Sequence, residues 1–246
     1  MAVPEQVPHP LELDERNEGF SGPFEIGIED LLTLFPIIER GTVTPEVPLR
    51  LANGSVSHLE LLVLSAITQA VQPERVLEIG TFQGLTAVNI ARHMPVDGEL
   101  TTVDLPPEGS PNLPSDDWNA RYYPQRSIGP VFLDSEVPPT VRQVKGDTAE
   151  LSEDDLGSGF DLVFIDGNHS DAYIRNDTEL ALSLASERAI LIWHDYGKVR
   201  HWPAITSYLY SLARDKRLYP LYWLRNEDGE LDTSLVMHVL GASMRG

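Results

Sequence analysis

The stretch from Val76 to Gly84 reads Val-Leu-Glu-Ile-Gly-Thr-Phe-Gln-Gly, and it constrains the fold more than any other part of the chain. Its first half is a short apolar run holding one acid, which suits a strand buried in a parallel sheet; its second half opens a helix. Gly80 lets the backbone turn as it leaves the sheet, and Gly84 lets the helix start pack close over the strand ends. The glycine spacing is G-x-x-x-G, with Glu78 two residues ahead of it. A dinucleotide pyrophosphate needs G-x-G-x-x-G and no acid aimed at it, so this turn predicts a cationic, phosphate-free ligand instead.

The segment Glu78-Ile79-Gly80-Thr81-Phe82-Gln83-Gly84 resembles the first motif of class I S-adenosylmethionine-dependent methyltransferases, most closely the small bacterial O-methyltransferases related to catechol O-methyltransferase. The resemblance implies a Rossmann-like α/β fold, a doubly wound, mostly parallel seven-stranded sheet ending in an antiparallel hairpin. It also implies a donor site built around Glu78, Gly80, Thr81 and Gly84.

Downstream segments support the same architecture. Glu99–Leu105 reads as a second strand ending on Asp104, twenty residues past Gly84, where an acid accepts hydrogen bonds from both ribose hydroxyls of a nucleoside. Val141–Val144 reads as a third strand running into Gly146-Asp147-Thr148. In the resembling family a Gly-Asp pair in this place meets the adenine amino group, which implies a donor role for Asp147 and Thr148. Glu78, Asp104 and Asp147 would then share one C-terminal sheet edge, where open α/β sheets bind ligands.

The next two strands carry the candidate chemistry. Phe160–Ile165 closes on Asp166-Gly167-Asn168-His169, with Ser170 as the cap of a following helix whose Leu180, Ala181 and Leu184 face inward. Ala189–Trp193 closes on His194-Asp195-Tyr196. Adjacent parallel strands bring Asp166 and Asp195 to one cleft, where two carboxylates need a cation or a shared proton to offset their repulsion. Catechol-type enzymes place metal ligands at these strand ends, which implies Asp166, His194 and Asp195 as ligands of a divalent cation such as Mg2+ or Mn2+, with Asp166 also touching the donor. His194, however, stands where that family has an acid, and imidazole is a poor Mg2+ ligand; Mn2+, Fe2+ or Zn2+, or a metal-free site with histidine bases, stay open. His169 stands where the family has a lysine base, so it is the candidate catalytic base.

The flanks are less specific. Residues 1–48 form a Pro- and acid-rich extension ahead of a 49–246 domain, with one helical pattern over Phe24–Arg40 through Ile28, Leu31, Leu32, Phe35 and Ile38. The extension is a packed arm, a lid over the substrate mouth or a dimer contact. Ser57-His58-Leu59-Glu60 matches a capping box, followed by Leu61, Leu62, Ile67, Ala70 and Val71 towards Pro73. A helix in this place lines the donor pocket in the resembling family, which makes Ser55 and Glu60 weaker candidates. Residues 106–139 form a Pro-rich insertion with Trp118, Tyr122, Tyr123 and Phe132, too aromatic for a disordered linker, and it reads as a substrate-side loop in which Arg121 and Arg126 could meet an acidic group. Pro203–Leu212 reads as a helix, and Leu218–Leu224 and Ser234–Leu240 as strands around the turn Arg225–Asp232.

Composition narrows the function. In 246 residues the chain carries 18 basic and 38 acidic side chains, a formal charge of -20 that disfavours nucleic acid and anionic membranes. It holds no cysteine, so thiolate ligands are excluded. The N-terminal residues lack a signal-peptide pattern and no apolar run reaches membrane-spanning length, which predicts a cytoplasmic protein. The expected activity is methyl transfer from S-adenosylmethionine to a hydroxyl of a small phenolic, sugar or natural-product acceptor. Two alternatives remain: a non-catalytic S-adenosylmethionine-binding partner and an NAD-dependent oxidoreductase.

Overall fold

The structure is a computed structural model, and it describes residues 24–27, 42–46, 48–49, 51, 54–115, 129, 131, 140–198, 200–225 and 233–241. Its strands are β1 (Phe24–Gly27), β2 (Arg75–Ile79), β3 (Glu99–Asp104), β4 (Thr140–Lys145), β5 (Phe160–Ile165), β6 (Ala185–Trp193), β7 (Tyr222–Arg225) and β8 (Val236–Val239). Its helices are α1 (His58–Val71), α2 (Leu85–His93), α3 (Glu153–Leu156), α4 (Asp171–Leu184) and α5 (Pro203–Arg214).

The strands form one sheet in the order β1-β7-β8-β6-β5-β2-β3-β4. From β2 the chain winds outward through β3 and β4, returns to the other side of β2 at β5 and continues to β6, all in parallel pairs. The topological switch point therefore lies between β2 and β5, where open sheets of this kind leave a crevice beyond the strand ends. β8 then runs antiparallel between β6 and β7, the expected C-terminal reversal. The connecting turn around 226–232 lies outside the described residues.

All seven expected strands are present, with ends that differ by a few residues, and an eighth, β1, pairs parallel with β7 at the sheet edge. This corrects the helical reading of the segment that starts at Phe24. Its first four residues are extended because β7 offers an unpaired edge, and a partner's backbone outweighs local periodicity in so short a piece. The rest of that pattern, Ile28 to Arg40, and the aromatic and arginine side chains of the 106–139 insertion lie outside the described residues.

Strand alternation divides the core into two layers. Val76, Leu162, Phe164, Ile190 and Ile192 pack with Leu61, Leu64 and Ile67 of α1 and Val88 of α2. Leu77, Val163, Ile165, Leu191 and Trp193 pack on the opposite face with Ile174 and Ala181 of α4 and Leu209 and Leu212 of α5. A sheet covered on both sides favours apolar residues on both faces of its central strands, which is why β5 reads as an apolar run broken only by Asp161 near its start. The capping box at Ser57 forms as expected: its hydroxyl accepts from the Glu60 N–H at 3.2 Å, while the Glu60 carboxylate accepts from the Ser57 N–H at 2.8 Å. Leu62 of α1 is 40% exposed. Among the described residues no helix is long and apolar enough to cross a membrane.

Candidate active site

A cleft of about 440 Å³ opens beyond the C-terminal ends of β2 to β6. Its walls include Ser55, Gly80, Asp104, Asp147, Thr148, Asp166, His169, His194 and Asp195, nine residues singled out by sequence. Glu78, Thr81 and Gly84 are not in its walls; they lie behind or beside it. Phe82, Tyr173, Asp177, Lys198, His201 and Trp202 also line it and had not been singled out.

The turn after β2 is tight because two strand ends meet there. Gly80 has φ +100°, and a Cβ on it would lie 2.0 Å from the Asp166 carbonyl oxygen. Gly84, also in the left-handed region at φ 83°, starts α2. Between them Phe82 sits at φ 45°, a costly conformation for a bulky residue. This conformation directs the Phe82 N–H to Asp104 Oδ2 at 2.8 Å, fixing the carboxylate at the end of β3.

Glu78 shares the sheet face of Val76 and is fully buried. It accepts a hydrogen bond from the Thr102 hydroxyl, which lies 2.7 Å from the Thr81 hydroxyl. Among the described residues Glu78 Oε1 has no hydrogen-bond partner. Burial first, and the nearby charges of Asp166 and Asp104, push its carboxyl up to about 8, even though the Thr102 bond opposes the shift. Asp104 and Asp166, at the ends of the two neighbouring strands, thus flank the buried Glu78. A ligand cation seated there would relieve their repulsion, so the donor chemistry of this end fits a sulfonium amino acid and not a phosphate.

At the other end of the cleft, Asp147 Oδ2 accepts the Tyr173 hydroxyl at 2.7 Å and the Asn112 N–H at 2.7 Å, while Oδ1 accepts the Ala149 N–H at 2.9 Å. The Thr148 hydroxyl donates to Asp177 Oδ1 at 2.6 Å. Burial holds the Asp177 carboxyl up at about 7. Tyr173 and Asp177 lie four residues apart on the inward face of α4, among Ile174, Thr178 and Ala181. Polar groups on a buried helical stripe were the available signal for them.

The two central strand ends carry a dense charged network. His169 Nε2 lies 3.0 Å from Asp195 Oδ2 and 3.6 Å from Asp166 Oδ1, and its ring stacks on Trp202 with centroids 4.3 Å apart. Although burial opposes protonation of His169, the two aspartates beside it dominate and raise it to about 9. His194 follows Ile190 and Ile192 onto the face covered by α1. Its Nδ1 stands 3.1 Å from Asp166 Oδ1 and 3.3 Å from Asp195 Oδ1, and its Nε2 stands 3.2 Å from Glu60 Oε2. Burial works against the His194 charge, yet the aspartates and Glu60 raise it well above the usual imidazole range. Asp195, at φ 62°, also pairs with Lys198 Nζ.

Single donor atoms of Asp166, His169 and Asp195 lie within 4.8 Å of one another, a spacing that a metal could use. The donor chemistry nevertheless does not fit a hard divalent cation. Each aspartate already faces imidazole, Asp195 also holds an ammonium, and His194, expected as a ligand, turns both nitrogens towards carboxylates. A metal ligand must present a lone pair, whereas an imidazole between carboxylates presents N–H groups.

Residues 77–196 match the family model described as a methyltransferase domain. A curated relative from Mycobacterium sp. (strain JLS), "Putative O-methyltransferase", is 28% identical over 119 residues, which cover 48% of this chain and 47% of that protein. The chain thus spans about half the length of the curated relative it matches. Among solved structures, the O-methyltransferase TomG of Streptomyces achromogenes, in complex with SAM, is 20% identical with a TM-score of 0.52, over 78% of this chain and 84% of that one. An O-methyltransferase of Bacillus cereus, in complex with SAH, is 18% identical with a TM-score of 0.52, over 87% and 90%. At these identities the likeness is one of fold.

Proposed function

We propose that this chain is a class I methyltransferase that transfers a methyl group from S-adenosylmethionine to a hydroxyl oxygen of a small molecule, a reading supported by the match of residues 77–196 to a methyltransferase domain and by the fold. The observation that carries this reading is the placement of Asp104 and Asp166 in the cleft wall beside the Gly80 turn, with Glu78 buried behind them and its Oε1 unpartnered among the described residues. Such a pocket suits a positively charged nucleoside and repels a diphosphate.

The donor would supply an electrophilic sulfonium methyl. Asp104, oriented by the Phe82 N–H, is placed for the ribose hydroxyls, and Asp147 with Tyr173 for the exocyclic amine of the base. Gly80 leaves the backbone bare where the ligand and the Asp166 segment approach. On the acceptor side, His169 is locked by Asp195 and by the Trp202 stack, the orientation a general base requires. As the acceptor oxygen takes the methyl group, its proton passes to the His169 imidazole. Alignment of the two reactants supplies the remaining several kcal/mol of rate enhancement. A cytoplasmic location, and a role for the N-terminal extension as packed arm, lid or dimer contact, belong to the same proposal.

Two variants test the donor site. Asp104→Ala removes the ribose acceptor, and Gly80→Val drives a side chain into the Asp166 carbonyl. Each should weaken S-adenosylhomocysteine binding in calorimetry by at least about tenfold, one lost hydrogen-bonded contact of roughly 1.4 kcal/mol or more. Turnover of S-adenosylmethionine against a panel of phenols and sugars tests the activity itself. S-adenosylhomocysteine binding without turnover of any acceptor would favour the non-catalytic reading.

A further inference from the structure

We infer that this cleft works without a divalent cation, because Lys198 and a His194 clamped by Glu60 occupy the positions from which a metal would charge the acceptor oxygen. The inference rests on the methyltransferase reading and adds to it a catalytic residue, Lys198.

The argument begins with Glu60, a helix-capping residue whose carboxylate serves a second purpose. Oε2 meets both the Ser57 N–H and His194 Nε2, and Oε1 accepts the N–H and the hydroxyl of Ser234 at 2.8 Å each. Four contacts, one from the local cap and three from two distant segments, fix this carboxylate, and through it the His194 ring. The opposite edge of the ring then lies against Asp166 and Asp195, filling the gap between the two strand ends. For His194 to ligate a metal it would have to break from Glu60 or from the aspartates. Either change would strand a buried charge.

Lys198 completes the arrangement. Asp195 is held at φ 62° and starts a turn in which the Lys198 N–H reaches back to the Asp195 carbonyl at 3.4 Å. That turn brings the ammonium onto Asp195 Oδ1. The Lys198 side chain is 44% exposed and lines the cleft with His169 and Trp202, so its remaining N–H groups can meet an acceptor oxygen. An ammonium there favours the ionised oxygen, the same task a metal would perform. Three carboxylates, Glu60, Asp166 and Asp195, face three basic side chains, His169, His194 and Lys198.

The test is a Mn2+ titration of the intact protein, with and without S-adenosylhomocysteine, following free Mn2+ by electron paramagnetic resonance. The wild type should leave Mn2+ free into the millimolar range, as weakly held surface carboxylates do. Lys198→Ala removes the competing ammonium at a half-exposed position where misfolding is not expected, and its Mn2+ affinity should rise by at least about tenfold. Lys198→Ala combined with His194→Asp, which supplies a third carboxylate, should bind more tightly still. Micromolar binding by the wild type that is lost in Asp195→Asn would overturn the inference, and so would the absence of any gain in Lys198→Ala. Failure of S-adenosylhomocysteine to bind in parallel calorimetry would instead overturn the methyltransferase reading.

Discussion

His169→Ala should lower methyl transfer by about 10²–10⁴-fold while leaving S-adenosylhomocysteine affinity unchanged. The loss is expected because the ring is placed by two aspartates and an indole, and no other imidazole on the cleft wall is oriented this way among the described residues. The pH profile provides an independent check. A base acts only when deprotonated, and the aspartates raise His169 to about 9, so the rate should climb with pH through a limb displaced from 6.5 towards 9. Stability should respond in the opposite sense. A raised histidine stabilises the fold fully below its unfolded value of 6.5, and that contribution is lost as pH rises through about 9. Steady-state rates and thermal midpoints measured over the same pH series would therefore diverge. A pH-independent rate, with His169→Ala as active as the wild type, would remove His169 from the chemistry.

Glu60→Ala should be the most damaging single change to the fold outside the apolar core. Removing one partner from a buried ion pair costs about 3–5 kcal/mol, because the other charge stays behind. Here the stranded groups are His194 and the Ser234 N–H, both buried. For a chain of this size the thermal midpoint should fall by roughly 6–20 °C. Burial alone would raise the Glu60 carboxyl, but His194, Ser234 and Ser57 hold it far below the ordinary range. A depressed acid stabilises above its unfolded value of 4.5 and loses that contribution as pH falls. The gap between wild type and Glu60→Ala should accordingly narrow below about pH 4.5 in urea denaturation. Ser57→Ala, which removes only the cap, should cost about 1 kcal/mol, and a Glu60→Ala cost no larger than that would reduce Glu60 to a cap as well.

The sheet was largely legible because its central strands are buried on both faces. The ends expected for Phe160–Ile165 match the observed ones, since an apolar run interrupted only by Asp161 and bounded by Gly159 and Asp166 leaves little freedom. Burial on both faces also hid the direction of Glu78. In a strand without polar alternation, nothing in the sequence says which layer receives the acid, and the structure turns it into the core beside Thr102. β1 was missed because four residues at an edge take their conformation from β7, not from their own pattern. The cleft's acids are visible as residues at or just beyond the ends of the expected strands. The Glu60–His194 contact spans 134 positions and has no local signature. Lys198 carried a weak one, three residues beyond Asp195, which becomes informative only once the left-handed turn at Asp195 is known.

Binding of S-adenosylhomocysteine, measured calorimetrically against NAD on the full chain, tests the central claim most directly. The placement of Asp104 and Asp166 in the cleft wall beside the Gly80 turn, with Glu78 buried behind them, predicts saturable one-to-one binding of S-adenosylhomocysteine and no heat from NAD, whose diphosphate would face the two aspartates. Saturable binding of NAD, with none of S-adenosylhomocysteine, would contradict it.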